Sequence, residues 1–431
     1  MWLPKEKLLY GLTIGFFASL FLPPEMPVVN NIFIAGICIL CFFLKKGRLL
    51  RHRPAILFML LFFILQAISA AVSANHARAW SILAMRSPLL LFPLAFGGIF
   101  IRRPLKSRIL LAYAVIVLIV SLCCLIDASH RSWVRQDTQW LYDDSLTIAI
   151  GRTAVYMALI VAVAIFCWVW LLENGRIRGK ARWIAWAGTI FLVLFHFLLA
   201  SRISLFYLYA VAIGYGCRRI ARGARTRRVA LLLGGCVLLG LVLLFFFPKT
   251  LDRMRQLEYL HFDYHSRGME SHYNMPVDSS QWNGANFRLA VWNCGWNIAR
   301  HHLATGVPLG DKQAAFMVEY KARDFMFAYT RHRNVHNTWL DVLVNTGIAG
   351  CVIFLLGYLV LPLWTAVRTG DWLAGLIVGA FATALSTETW IDGSFGTVLL
   401  AFWLSMVSAW QRPAAAPKAR LSHARALDHY P

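Results

Sequence analysis

At 431 residues, 59% of them hydrophobic and with a mean hydropathy of +0.59, the chain holds more apolar side chains than a water-soluble protein of its size can hide. A soluble enzyme or binding module is excluded, and an all-α polytopic membrane protein is expected. The net charge of +23 and pI of 10.1 would suit a nucleic-acid partner, but the basic residues fall in short loops between apolar runs. There they read as a topology signal and an attraction to anionic lipid.

Apolar runs occur at 8–22, 29–44, 54–73, 81–101, 109–126, 153–172, 183–200, 203–217, 229–247, 347–367, 372–387 and 394–410, each near the roughly 20 residues that span hydrocarbon, giving about twelve transmembrane helices. Runs 8–22 and 203–217 are short. Run 81–101 contains Arg86, Pro88 and Pro93 and is expected to break or enter obliquely. The first run ends in Leu22-Pro23-Pro24-Glu25 without a small-residue cleavage site, so it is expected to stay as a span. Basic residues fill alternate loops: Lys45, Lys46, Arg48, Arg51 and Arg53; Arg102, Arg103, Lys106 and Arg108; Arg176, Arg178, Lys180 and Arg182; and Arg218 through Arg228. The positive-inside rule places these loops in the cytoplasm. Both termini follow, from Lys5 and Lys7 at one end and Arg412, Lys418, Arg420 and Arg425 at the other. Eight of the nine cysteines lie in or beside apolar runs, and Cys294 stands alone in the long external stretch, so no disulfide framework is expected. His261, His265 and His272 have neither helical register nor cysteine partners, and no metal site is expected.

Arg202 stands in Leu198-Leu199-Ala200-Ser201-Arg202-Ile203-Ser204, an external turn with almost no loop. A guanidinium pinned there lies at headgroup depth, where its forked donors match phosphate oxygens and its charge is costly enough to suggest function. Arg288, at the start of an external helix, and Arg152, after the Asp143-Asp144 loop, are candidates to join it, with Arg86 a further supporting candidate. The competing reading is snorkelling to lipid phosphate, or pairing with an acid such as Asp144 or Asp392. Glu388 and Asp392 share the last external turn.

The stretch 248–335 is the only large polar region and forms a second unit on the outer face, between spans 9 and 10. Arg253–Tyr264 and Asn286–His301 read as helices, and 265–285 as a loop rich in turn formers. Its tryptophans, tyrosines and histidines suit stacking on sugars or packing at the headgroup level. The domain plan is therefore 1–247 for spans 1–9, 248–335 for the periplasmic loop domain, 336–410 for spans 10–12, and 411–431 for a cytoplasmic tail.

The segment Arg331–Gly350, RHRNVHNTWLDVLVNTGIAG, puts a histidine where this polar stretch meets the next span. Imidazole titrates near neutral pH and can take a proton from a hydroxyl. With a helix starting near Asn334 to His336, residues His336, Leu340, Leu343 and Gly347 share one face, and His336 stands about 16 Å above Gly347. Asn337 either orients the imidazole or caps the helix. Gly347 permits a close helix contact or a bend.

His336-Asn337-x-x-Leu340 followed by Gly347 resembles the H-[NSQ]-x-x-L-x(6)-G signature of the O-antigen ligase and polymerase superfamily. Ala200-Ser201-Arg202 is similar to that family's arginine-bearing turn, with Ile203 where a glycine often follows. Arg288-Leu289-Ala290-Val291-Trp292, running on to His301 through Gly310, resembles its R-x-x-x-W helix and glycine-rich turn, with Pro308 at the place of the middle glycine. The resemblance covers the whole chain. It implies a GT-C type glycosyltransferase of the bacterial inner membrane, inverting, independent of metal and without a cofactor, active on the periplasmic side. The implied donor is undecaprenyl-diphosphate-linked O-antigen and the acceptor a sugar hydroxyl of lipid A-core. His336 is then the general base, while Arg202 and Arg288 hold the diphosphate; Asn337, Arg152, Arg86 and Asp392 are supporting candidates on their placement in the sequence alone. An O-antigen polymerase and a protein O-oligosaccharyltransferase share these features. A glycan transporter is the non-enzyme alternative, disfavoured because the candidate residues concentrate on one face instead of at the midplane between repeats.

Overall fold

The computed structural model describes residues 4–23, 25–44, 52–221, 258–266 and 282–411. The described residues are helical, with no strand among them. In chain order the helices are α1 (Pro4–Ser19), α2 (Pro27–Leu44), α3 (Pro54–Ala71), α4 (His76–Met85), α5 (Pro88–Gly97), α6 (Arg103–Arg135), α7 (Asp143–Leu146), α8 (Ala154–Glu173), α9 (Lys180–Leu198), α10 (Arg202–Ala221), α11 (Asn286–His301), α12 (Lys312–Ala322), α13 (Met326–Thr330), α14 (Thr338–Leu355), α15 (Leu361–Thr369), α16 (Trp372–Leu385) and α17 (Ser394–Trp410). Several begin at a proline, whose missing N–H costs nothing in the first turn. Asn75, Asn337 and Asp371 cap α4, α14 and α16 through their side chains.

Among the described residues, seven helical stretches are long and apolar enough to cross a membrane: α2, α3, α4 with α5, α6, α8, α9, and α14 with α15. Helices α16 and α17 are apolar but shorter. The expected runs 8–22 and 203–217 fall on α1 and α10, which are helical but not among the seven. Run 229–247, the basic residues 45–51 and 222–228, and the tail from 412 lie outside the described residues. The fourth run breaks as its prolines predict, with Arg86 and Ser87 between α4 and α5. At 33 residues, α6 is about 50 Å long at 1.5 Å per residue, well beyond the roughly 30 Å hydrocarbon core. Near its C-terminal end Arg131 and Arg135 lie over the ring of Trp140.

Helices α8 and α17 are buried almost throughout and form the centre of the bundle. Apolar burial alone cannot drive helix association in lipid, so close packing and buried polar contacts carry it. Phe16, Phe17, Phe92, Tyr113, Phe402 and Trp403 interlock between α1, α5, α6 and α17. Arg53 donates to the last carbonyls of the neighbouring helices, Phe96 at 2.7 Å and Ala409 at 3.1 Å, satisfying groups that a helix end leaves open.

The described part of the polar stretch has its own core, built on Trp282, Phe287, Val291, Phe316, Tyr320 and Phe325 and packed onto Val335 and Val344 at the head of α14. Helix α11 spans the expected residues. The helix expected at Arg253–Tyr264 does not extend through 259–264, and 253–257 lie outside the described residues. Here two side-chain amides take the main-chain carbonyls that a helix would have used: Asn283 donates to Tyr259 O at 2.9 Å and Asn286 to His261 O at 3.3 Å. Phe262 and Tyr264 are thereby turned into the second core. Most of the loop 265–285 lies outside the described residues.

Candidate functional site

The head of α14 sets the histidine. Asn337 caps the helix by accepting the Leu340 N–H at 3.1 Å, so it performs the capping role and α14 starts at Thr338. His336 therefore precedes the helix, and the expected shared face of His336, Leu340, Leu343 and Gly347 is corrected. The histidine has φ +47, a left-handed conformation that side chains other than glycine adopt at a cost and that clusters at functional sites. Its N–H donates to Asn334 Oδ1 at 3.2 Å.

The imidazole is directed at the turn between α16 and α17. Its Nδ1 lies 2.8 Å from both carboxylate oxygens of Glu388, and both side chains are about four-fifths buried. Burial pushes the Glu388 carboxyl up, but the hydrogen bond and charge of His336 and the charge of Arg288 outweigh it and hold it below the ordinary carboxylate range. A carboxylate on Nδ1 fixes the tautomer that leaves Nε2 as a proton acceptor. The Glu388 turn is itself tied down. Thr338 Oγ1 donates to Glu388 O at 2.7 Å and accepts the Trp390 N–H at 3.0 Å, and Trp339 Nε1 donates to Ser386 Oγ at 3.1 Å.

Arg288, in the first turn of α11, donates from Nε to Thr387 O at 3.1 Å and from Nη1 to Gly284 O at 2.6 Å. Arg202 opens α10 after a turn in which Ala200 has φ +49 and donates to Phe197 O at 3.0 Å. The two arginines converge. A Cβ on Gly284 would lie 3.0 Å from Arg202 Nη2 and 3.2 Å from Arg288 Nη1, so the residue between the guanidinium groups has to be small. Two like charges brought this close favour a dianion between them. Next to Arg202 a small, mostly apolar crevice of about 10 Å³ lies between α8, α10 and α16, lined by Leu159, Ile203, Ser204, Tyr207, Ala380 and Thr383.

Arg86 and Asp392 meet in a second, buried cluster. Arg86 Nη2 lies 2.8 Å from Asp392 and 3.5 Å from Asp341, its Nε donates to Ile391 O at 3.0 Å, and Nη1 bonds the Gln66 side chain. Lys312 Nζ completes the set, 2.6 Å from Asp341 and 2.9 Å from Asp392. Burial pushes the Asp392 carboxyl up, and Lys312 and Arg86 more than reverse it, holding it below the ordinary carboxylate range. Arg152 is engaged elsewhere, on the carbonyls of Leu20 and Leu22 at 3.3 Å and on the Phe395 ring at 4.2 Å. Asp144 is not its partner but accepts the Ala154 N–H at 2.6 Å.

The glycine of the histidine motif has a backbone task. Gly347 has φ +63 and interrupts α14. The helical bond from Ile348 N to Val344 O is replaced by two others: Val307 N donates to Val344 O at 2.7 Å, and Ile348 N donates to Leu303 O at 2.9 Å. The turn 303–307 is thus inserted into the ladder of a membrane helix with its polar groups satisfied. Gly306, at φ +71, makes the reciprocal approach, since a Cβ there would lie 2.4 Å from the backbone of Asn345 and Thr346. This docking joins the polar segment to the base of the histidine's helix.

Residues 187–355 match the family model described as O-antigen ligase. The match runs from α9 to the end of α14 and contains Arg202, Arg288 and His336. No curated protein matches the chain.

Proposed function

From an O-antigen ligase domain over residues 187–355 in a multi-pass membrane protein, we propose an inverting, metal-independent GT-C type glycosyltransferase that moves O-antigen from undecaprenyl diphosphate to a sugar hydroxyl of lipid A-core. The observation that carries this reading is the juxtaposition of a carboxylate-held imidazole with a convergent arginine pair, through Arg288, which bonds the turn that bears Glu388. His336 Nε2 accepts the acceptor's hydroxyl proton as its oxygen bonds to the anomeric carbon. The bond from that carbon to the diphosphate oxygen breaks in the same step, and the departing electron pair settles on a diphosphate held by Arg202 and Arg288. Attack from the face opposite the leaving group inverts the anomeric configuration. Guanidinium charge does the work of a metal here.

We assign about twelve spans, the loop domain 248–335 and the active site to the periplasmic side of the inner membrane, and both termini and the 411–431 tail to the cytoplasm, from the alternation of basic loops. The remaining spans, 1–247 and 336–410, flank the loop domain. The test is a deletion strain whose lipopolysaccharide and lipid-linked O-antigen are measured together. Ligase activity predicts bare lipid A-core with long polymer retained on the carrier. Core capped with a single repeat would assign polymerase activity instead.

A further inference from the structure

Arg86, Lys312, Asp341 and Asp392 come from four distant parts of the chain: the break between α4 and α5, the head of α12, the first turn of α14, and the turn before α17. Arg86 is fully buried, Lys312 is 5% exposed and Asp341 is 1% exposed. Two cations face two carboxylates, so the cluster is balanced, and losing any member leaves a buried charge uncompensated. Its grip falls on the turn that carries Glu388. Arg86 and Lys312 both hold Asp392, four residues past Glu388, and Arg86 also holds Ile391 O. The nearer residues of that turn are held by Arg288, Thr338 and Trp339. Lys312 is the member that comes from the polar segment, the same segment that presents Arg288.

We propose that Lys312, acting through Asp392 within this balanced cluster, is a positioning residue that keeps the Glu388 carboxylate on His336 Nδ1 and locks the segment bearing Arg288 to the turn bearing Glu388. This rests on His336 serving as the base. Releasing Asp392 lets the turn shift, and a displacement of about 1 Å at a supporting residue is enough to cost on the order of 10²-fold in rate. The groups that face the pair are Phe287, whose ring packs on His336 with Arg333 over that ring at 5.6 Å, Arg288, whose charge acts on Glu388, and Tyr156, which lies within the field of the Glu388 charge. None of them replaces a carboxylate on Nδ1. Its displacement leaves Nδ1 without the partner that fixes the tautomer and orientation of the ring, so Nε2 is no longer held for the acceptor hydroxyl.

The test uses the purified full-length protein with a polyprenyl-diphosphate-linked oligosaccharide and lipid A-core, reading kcat, donor KM and the pH profile. Lys312→Met is expected to lower kcat by about tenfold or more and to leave donor KM nearly unchanged. A normal kcat, or a loss carried by donor KM with kcat unchanged, overturns the proposal. Should Lys312→Met fail to accumulate, Asp392→Asn, nearly isosteric, is read by the same criteria. Lys312→Met with Asp341→Asn restores charge balance and is expected to recover most of kcat; a double variant as impaired as Lys312→Met counts against the balanced cluster. A wild-type profile with no acidic limb removes His336 as the base, and the proposal with it. An acidic limb present in the wild type together with a normal kcat in the variants removes only the role of Lys312.

Discussion

An imidazole can serve as a base only through a nitrogen that is free to accept a proton, and the Glu388 contact occupies Nδ1 and leaves Nε2 for that role. His336→Ala is therefore expected to lower kcat by about 10²–10⁴-fold while donor KM changes little, as read by single-turnover transfer from lipid-linked donor. Glu388 is held below the ordinary carboxylate range, first against its burial and then by His336 and Arg288. A carboxyl with a depressed pKa keeps its contribution above the ordinary carboxylate range and loses it as pH falls through its own lowered value. Glu388→Gln is expected to reduce kcat with donor KM little changed, and an unchanged kcat would sever Glu388 from the mechanism. At the arginine pair, Arg202→Lys keeps a charge but loses the fork. It is expected to raise donor KM and remove most transfer, and near-normal transfer at normal expression would end the diphosphate role of Arg202.

At the scale of elements, α14 depends on an interruption. A side chain at Gly347 would meet Leu303 O at 2.5 Å and Ala304 O at 2.8 Å, at φ +63. Gly347→Ala is expected to destabilise by about 1–3 kcal/mol from backbone conformation alone, with the clash added. Thermal unfolding in detergent should show the loss, and an unchanged Tm would mean that the 303–307 turn is not docked there. The sequence marked Gly347 as a contact or bend, and it is both, but the inserted turn was unreadable because two backbone segments with no side-chain pattern make the bonds. Apolar periodicity and prolines foretold most helices and the break at Arg86, since each is a local signal. Asn337 was legible as a cap for the same reason. Glu388 was visible only as an acid on a short turn, because its partner is 52 residues away, and nothing local marks such a pair. Lys312 and Asp341 were missed because a lysine at a helix head and an aspartate in a first turn resemble ordinary solvated ends.

For the whole molecule, the polar segment, the Glu388 turn and the Arg202 turn all gather at one end of the bundle, and the proposed orientation puts that end in the periplasm. In a cysteine-free background, cysteines introduced in 265–285 are expected to react with an impermeant reagent in intact spheroplasts, and those in 218–228 only after lysis; the reverse pattern would invert the topology. A transporter and a transferase both bind a lipid-linked glycan with arginines, but only a transferase breaks the bond to the diphosphate. The most direct measurement of that difference is made with the protein reconstituted in vesicles, with labelled undecaprenyl-diphosphate-linked O-antigen, lipid A-core and a chelator. A transferase is expected to release one undecaprenyl diphosphate for each glycan joined to lipid A-core, with the anomeric configuration inverted, undiminished by the chelator and abolished by His336→Ala. Glycan that crosses the membrane still joined to its carrier, with no diphosphate released, would contradict that expectation.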